Sequence, residues 1–570
     1  VKKLHTALIQ ELQDLLLGDP ASLEILIHQL AALPSESGHP LTQDLSTRIQ
    51  HDLEAGLKNI VEVEIRSIPL FIQNHLEHVI KIFLEFSQEA LQLNRKIFLV
   101  GAGASGRMAL FVKRALLDLA PDHPLTQKII PIIAGGDAAL IHAVPGFEDD
   151  PAMAKLQLKK QNFQPQDILI GFSASGRAPF ILEALKQAKQ QGGRILLVST
   201  NPTYSLCAID SSIPHLSLYT EPPAIAGSTR LSPTSHMMMA CGVFIAQASL
   251  QLETPEEIKN ALSQDLLHLT QLLEEFPWKK WAQILELESD HLQSDLGSHL
   301  PSKTPKHKKS GRMIYEISAP TFIEQIIFHD LTERTPTAGF PPISSMNHWE
   351  SQAPQIAFAY PTFLKATSEK NSRNNLWFRL LGSENPVCLN LPSAPETLDK
   401  ALFNFDFTPV GTEKWKQFLK KNRHDMATLS LSISPAHPAS ENSKNQNELS
   451  IAFNQKFNFS FKALSRLSPY FQGIFLKIIL NTYSTGLMAK LGLIYKNNMS
   501  HLLPTNQKLV LRAVLQIEER LKEKAIATSR LEILKTFLTE LHEPPLEPSS
   551  TIERTLHILL SAHRSHAQNT

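Results

Sequence analysis

The sequence predicts an α/β chain: two parallel-sheet units in tandem, with helices on both faces of each, and an all-helical C-terminal end. Three observations carry that expectation. From residue 96 to about 250, short apolar, β-branched runs alternate with helical patterns, as in strands buried on both faces. A second alternation begins near Arg312. At the C-terminal end, from residue 503, only helical periodicity remains.

At 570 residues the chain exceeds what one core accommodates, so several domains are expected. Hydrophobic residues make up 42% and charged residues 19%, an ordinary globular balance. Lys plus Arg and Asp plus Glu number 55 each, so the formal net charge is zero and no broad nucleic-acid surface is expected. Cys207, Cys241 and Cys388 lie far apart and form neither a metal-spaced set nor a disulfide framework, which fits a reducing, cytoplasmic setting. No apolar run approaches the roughly 20 residues that span a bilayer, so no membrane partner is expected. Met237–Ala246 is the most apolar stretch and is too short. Lys2 and Lys3 followed by amphipathic sequence do not read as a signal peptide, and Val1 points to a trimmed start. No metal cluster or redox motif stands out, so no cofactor is expected.

Residues 1–93 are expected to be helical and to pack on the first sheet unit. Leu8, Leu12, Leu15, Leu16, Leu23, Ile25, Leu26 and Leu30 recur at helical spacing. The stretch 34–40 interrupts them, and a long helix, or a pair divided near Pro69, follows. Residues 94–297 form the first sheet unit with its trailing helices, with strands expected at 97–100, 129–133, 168–172, 195–199 and 213–218. The basic, Pro-punctuated stretch 298–310 reads as a linker. The second unit, 311–500, carries expected strands at 312–318, 376–381 and 429–433, a helix at 321–331, an exposed loop from 435 to 447 and a long apolar helical pattern over 464–499. Residues 501–570 form the helical end, with a Pro-rich break at 543–548.

The chemistry concentrates where the first expected strand, 97–100, should end. Lys96-Ile-Phe-Leu-Val is followed by Gly101-Ala-Gly103-Ala-Ser105-Gly106-Arg107, and a helix pattern starts at Met108. Strand, glycine turn and helix start bring backbone N–H groups together around an anion. No Gly-Lys-Ser/Thr follows, so this is not a Walker loop, while G-x-G-x-x-G alone leaves a dinucleotide site or a merely tight turn open. Ligands of such sheets bind at the carboxyl ends of strands. Those ends here carry the glycine turn, Gly135-Gly-Asp137, Ser173-Ala-Ser175-Gly176-Arg177 and Ser199-Thr-Asn-Pro202. The second unit's first turn, Ser318-Ala-Pro-Thr321, has no glycine and offers no such cradle.

The ordered set Gly101–Arg107, Ile133-Ala-Gly-Gly-Asp137, Gly146-Phe-Glu148-Asp149, Ser173–Pro179 and Ala226-Gly-Ser-Thr-Arg230 resembles the sugar isomerase (SIS) domain of the N-acetylmuramic acid 6-phosphate etherases and of their relative, the glucokinase regulatory protein. The resemblance covers roughly residues 35 to 250. Lys477-Ile-Ile-Leu-Asn-Thr-Tyr-Ser-Thr-Gly486 is similar to a Lys-x-x-x-Asn-x-x-Ser-Thr-Gly segment of the regulatory protein, and Met238 holds the matching lysine position in the first half. The architecture implied is therefore the regulator's: two SIS domains of flavodoxin-like parallel sheet plus a C-terminal helical domain. A monomer built as an internal pseudo-dimer follows, one half keeping the phosphate loops and the other lending side chains.

The resemblance implies the following roles. Ser105 and the N–H groups of Gly103, Ala104, Gly106 and Arg107 hold a sugar phosphate; Ala104 stands where the family usually has Thr. Ser173, Ser175 and Gly176 form the second phosphate loop, and Lys477 reaches phosphate or sugar oxygens. Arg107, Arg177 and Arg230 follow the motifs and serve equally well as structural donors. Glu148 is the C2 proton acceptor in the etherase and a sugar-hydroxyl ligand in the regulator; a helix-capping acid is the plain alternative. The etherase also carries Glu-Cys-Pro-Pro-Thr after its first loop, with the glutamate as acid for the leaving group. This chain reads Val112-Lys-Arg-Ala-Leu-Leu-Asp118 there, with no glutamate. Glu333-Arg-Thr-Pro-Thr337 faintly echoes the motif, making Glu333 a candidate replacement acid. Two functions stay open: a sensor of a hexose or amino-sugar 6-phosphate, with a sugar kinase as the implied partner, and a carbon–oxygen lyase of amino-sugar metabolism releasing lactate. An isomerase on the same fold is weaker, since no isomerase signature accompanies the loops.

Overall fold

The computed structural model describes residues 2–136, 139, 147–206, 210–296, 312–318, 322–323, 355–359, 426–435, 447–453, 457–502, 504, 506–542 and 551–569. The chain opens with α1 (Lys2–Gly18) and α2 (Pro20–Ala31). The Asp19 side chain accepts from Ser22 N–H at 3.1 Å and, with Pro20 at the first helical position, fixes where α2 starts. Next come α3 (Leu45–His51), α4 (Leu53–Asn74) and α5 (Leu76–Gln92). Pro69 lies inside α4, and the break falls at His75 instead. A proline removes one helical hydrogen bond, and Ile68 and Phe71, both fully buried, hold the helix across it.

The first sheet follows as β1 (Ile97–Gly101), α6 (Gly103–Leu119), α7 (Pro124–Lys128), β2 (Ile129–Ile133), α8 (Pro151–Lys160), β3 (Ile168–Phe172), α9 (Pro179–Gln190), β4 (Arg194–Ser199) and β5 (His215–Ser217). Its order is β2-β1-β3-β4-β5, and every pair is parallel, with Ile97 opposite both Ile129 and Ile168. Strand alternation feeds two cores. Leu99, Ile170 and Val198 face the side packed by α4, α5 and α10 (Ser232–Leu250), while Phe98, Val100, Leu169 and Leu197 face α8 and α9. The apolar stretch at Met237 proves to be the central helix: every residue of α10 from 232 to 248 is buried. Two more helices, α11 (Pro255–Glu275) and α12 (Trp278–Leu296), close this part.

A second five-stranded sheet is formed by β6 (Arg312–Ser318), β7 (Gln355–Ala359), β8 (Met426–Pro435), β9 (Asn447–Phe453) and β10 (Phe457–Phe461). Its order, β7-β6-β8-β9-β10, repeats that of the first sheet. It is not wholly parallel as expected: β6 pairs parallel with β7 and β8, but β8–β9 and β9–β10 are antiparallel. For β9–β10 the reason is chain length. Only residues 454–456 join β9 to β10, whereas a parallel return needs roughly a dozen residues. The expected linker at 298–310, the strand at 376–381, most of the helix at 321–331 and the break at 543–548 lie outside the described residues.

The apolar pattern over 464–499 is a helix only as α13 (Pro469–Lys490). Gly492 takes φ +77°, which ends the helix and leads into the hairpin of β11 (Ile494–Tyr495) and β12 (Asn498–Met499). The chain finishes with α14 (Gln507–Lys522), α15 (Arg530–His542) and α16 (Thr551–Asn569). Here the N-terminal expectation needs correcting. Residues of α3–α5 share a core with the first sheet, but Ile9, Leu12, Leu23 and Ile27 of α1 and α2 are buried with Val510, Val514, Phe537 and Ile552 of the C-terminal helices. An amphipathic stripe shows that a helix is half-buried, not what covers it.

Candidate functional site

The loops at the carboxyl ends of β1 to β4 are tied to one another. At the glycine turn, Gly103 takes φ +51° as α6 begins. A Cβ on Gly101 would lie 2.4 Å from the nitrogen of Gly106, and one on Gly106 would lie 2.7 Å from the oxygen of Gly101. The turn thus closes on itself, and only glycine fits on either side. Ala102 at the N-cap supplies no side-chain acceptor, so the positive end of α6 faces this turn. Ser105 is buried, its hydroxyl 3.7 Å from the Met237 thioether sulfur.

Ala134 N–H donates to the Gly101 carbonyl at 2.9 Å, joining the loop after β2 to the turn. After β3, Gly176 N–H bonds the Ser173 carbonyl at 2.9 Å with φ +72°, and Ser175 Oγ accepts from Arg177 N–H at 3.3 Å. Ser173 and Ser175 are both buried. Asn201, after β4, organises the neighbourhood. Its Nδ2 donates to the carbonyls of Ala174 (3.3 Å) and Ser175 (3.2 Å) and to Ser35 Oγ (2.9 Å), while its Oδ1 accepts from Ser35 N–H (2.9 Å).

Glu148 sits in a short 3-10 turn, Phe147–Asp149. The capping job falls to Asp150, whose carboxylate accepts from Ala152 and Met153 N–H at the start of α8. Glu148 instead meets Lys508 Nζ at 3.0 Å and Asn506 Nδ2 at 3.5 Å, both from the start of α14. Asp149 accepts from Gln507 N–H at 3.1 Å, and burial followed by the adjacent Glu148 charge pushes its pKa up to about 6.

Lys477 lies on α13 and donates to the Arg230 carbonyl and to Ser235 Oγ (3.5 Å). Asn481 Nδ2 reaches the same carbonyl at 3.1 Å, and Arg230 donates to Ser484 Oγ at 3.1 Å. Positions 477, 481 and 484 share one helix face, so the Lys-x-x-x-Asn-x-x-Ser segment clamps the last residue of the Ala226–Arg230 loop. Beneath it, the fully buried Glu64 of α4 accepts from Ser232 Oγ at 2.5 Å, and burial raises its pKa.

The stretch where the sequence resemblance expects an acid holds no glutamate. Residues 112–118 lie within the unbroken α6. Arg114 is paired with Asp118, whose other oxygen accepts from Phe322 N–H at 3.0 Å. Lys113 is buried against the Thr126 carbonyl, and burial brings its pKa down to about 8. Glu333 and Asp137 lie outside the described residues.

Sequence reasoning missed the contribution of α14. Besides Asn506 and Lys508, Arg512 binds the Glu36 carboxylate through Nε and Nη2 at 2.8 and 2.9 Å, with its guanidinium over Gly227. Asn506 was legible as a helix cap, since its Oδ1 accepts from Leu509 N–H at 2.9 Å. Nothing local marks Lys508 as the partner of an acid 360 positions away. Among the described residues no His, Cys, Asp and Glu group is arranged to hold a metal, and no helix is long and apolar enough to cross a membrane.

A five-stranded parallel sheet with glycine and serine turns at its carboxyl ends defines the class: an SIS-like α/β protein. The sequence profile of the glucokinase regulatory protein N-terminal SIS domain matches residues 77–189. An N-acetylmuramic acid 6-phosphate etherase of Pseudothermotoga lettingae is 32% identical over 247 residues, 43% of this chain and 78% of that protein. N-acetylmuramic acid 6-phosphate etherase 1 of Bacillus licheniformis is 29% identical over 262 residues, 44% of this chain and 83% of that protein. The chain belongs to the SIS-domain family of these etherases and the glucokinase regulatory protein. Among solved structures, a putative tagatose-6-phosphate ketose/aldose isomerase from Clostridium novyi NT overlaps 78% of this chain and 92% of that one at 12% identity and a TM-score of 0.38, too low a score to bear on the fold or the function.

Proposed function

We propose that this protein senses a hexose or amino-sugar 6-phosphate in its first SIS domain, with a degenerate second SIS domain and a helical end completing the molecule. The phosphate rests on the positive end of α6 and the Ser105 hydroxyl, the Ser173–Gly176 loop lies beside it, and the sugar hydroxyls reach Glu148. Two features support a second SIS-derived half: the strand order of the first sheet recurs in the second, and Lys477, Asn481 and Ser484 bind Arg230.

The observation that carries the sensor reading is the Arg114–Asp118 pair in α6. A lyase of this family needs an acid for its leaving oxygen, and this stretch supplies a carboxylate already bound by a cation and a backbone N–H. Losing such an acid costs roughly 10²–10⁴-fold in rate. The rival lyase reading draws on Glu148, whose carboxylate is spared the capping of α8 by Asp150.

The test is a thermal-shift panel of hexose and amino-sugar phosphates, including fructose 6-phosphate and N-acetylmuramic acid 6-phosphate. Ligand at about 100 times its Kd stabilises by about 2.7 kcal/mol, a rise of several degrees in Tm. Ser105→Glu places a carboxylate where phosphate rests and should abolish that rise. No shift with any member of the panel for the wild type would sink the sensor reading.

A further inference from the structure

We propose that Lys508 is a positioning residue of the sugar site: it holds Glu148 aimed, and so ties occupancy of the site to the seating of α14. The proposal rests on the sugar-phosphate reading above.

The local sequence explains the arrangement. Asn506 caps α14 through its Oδ1, which turns its Nδ2 toward Glu148 at 3.5 Å. The next residue, Gln507, presents its N–H to Asp149 at 3.1 Å, and the next, Lys508, places Nζ 3.0 Å from Glu148 Oε1. Three consecutive residues thus hold two consecutive acids. Adjacent carboxylates repel each other and favour sharing a proton. The Lys508 ammonium fixes the direction of the Glu148 carboxylate, and the carboxylate oxygens are what would accept from sugar hydroxyls.

The pair is not sealed. The side chains of Lys508 and Glu148 are 21% and 29% exposed. A carboxylate offers about four lone-pair positions, and one ammonium occupies one of them. Glu148 therefore keeps capacity for hydroxyl donors while Lys508 fixes its direction.

The helix that carries Lys508 is itself pinned to the other loops. One turn on, Arg512 grips Glu36 and covers Gly227. Gly227 N–H donates to the Ser35 carbonyl at 2.9 Å, and Ser35 holds Asn201, which in turn holds the Ala174 and Ser175 carbonyls. A ligand that prefers Glu148 in its Lys508-bound pose stabilises the seated helix by the same factor by which seating favours the ligand.

The experiment uses the full chain with fructose 6-phosphate and N-acetylmuramic acid 6-phosphate, read by titration calorimetry and hydrogen exchange. Lys508→Met keeps the stem and removes the charge; it should weaken binding roughly tenfold, the loss of one charge-assisted hydrogen bond. Lys508→Arg should restore most of the affinity. In the wild type, ligand should slow exchange over 506–512, and Lys508→Met should lose that protection. Wild-type affinity with unchanged protection in Lys508→Met overturns the proposal. A ligand-free arm stands apart from the sugar reading: Glu148→Gln should speed exchange in the first turn of α14, and exchange equal to wild type there refutes the clasp. If neither sugar phosphate binds the wild type, the sensor reading fails and this last arm decides the clasp alone.

Discussion

His236 on α10 is wholly buried, its ring stacked 5.5 Å from Phe71 and its Nε2 3.1 Å from Ser67 Oγ. Burial is the largest cause that pushes its pKa down to about 3 from an ordinary 6.5. The folded state therefore binds fewer protons than the unfolded chain between about pH 3 and 6.5, and stability falls as pH drops through that window. One group contributes at most about 1.4 kcal/mol per pH unit. Asp149 works in the opposite sense: its pKa is raised to about 6, so its contribution to stability shrinks as pH rises from about 4 to 6. His236→Gln should flatten the acid limb of stability in denaturant titrations from pH 6.5 to 4; a limb as steep as wild type would refute this. At this scale the sequence singled out candidate site residues but not their partners. Ser105, Ser173 and Glu148 were readable from motifs. The neighbours that orient them, Asn201 and Lys508, were not, because each acts on a residue distant in sequence.

Among the elements, the five strands of the first sheet were legible nearly to their ends, since buried parallel strands are short apolar runs bounded by turn residues. β9 and β10 were not, because alternating residues such as those of Phe457–Phe461 fit either direction of pairing until the connection length is counted. The helix α14 was read only as part of a helical end, yet it and its cap bond Glu148, Asp149 and Glu36. Its Arg512–Glu36 pair is nearly sealed, with side chains 6% and 4% exposed. Removing one partner leaves the other charge buried alone, which costs about 3–5 kcal/mol. Arg512→Ala should therefore lower the unfolding midpoint strongly, whereas Glu36→Ala with Arg512→Leu should recover much of the loss. A loss below about 1 kcal/mol in Arg512→Ala would show that the pair carries little.

On the scale of the molecule, the N-terminal and C-terminal segments close on each other. α1 and α2 share a core with α14–α16, while residues 35 and 36 meet Asn201 and Arg512. Helical periodicity announced all these elements and could not say which packed on which. The two sheets share a strand order but differ in the direction of β9, and the sequence after β6, Ser318-Ala-Pro-Thr321, has no glycine to match the turn after β1. On the proposed sensor reading, the glycine turn is expected to grip a sugar phosphate and the Arg114–Asp118 pair to leave it unconverted. The most direct test is titration of the full chain with N-acetylmuramic acid 6-phosphate, with lactate followed in the same vessel. Saturable binding that Ser105→Glu removes, with no lactate released, is the expected result. Lactate formed catalytically by the wild type and lost in Glu148→Gln would contradict it and establish the lyase.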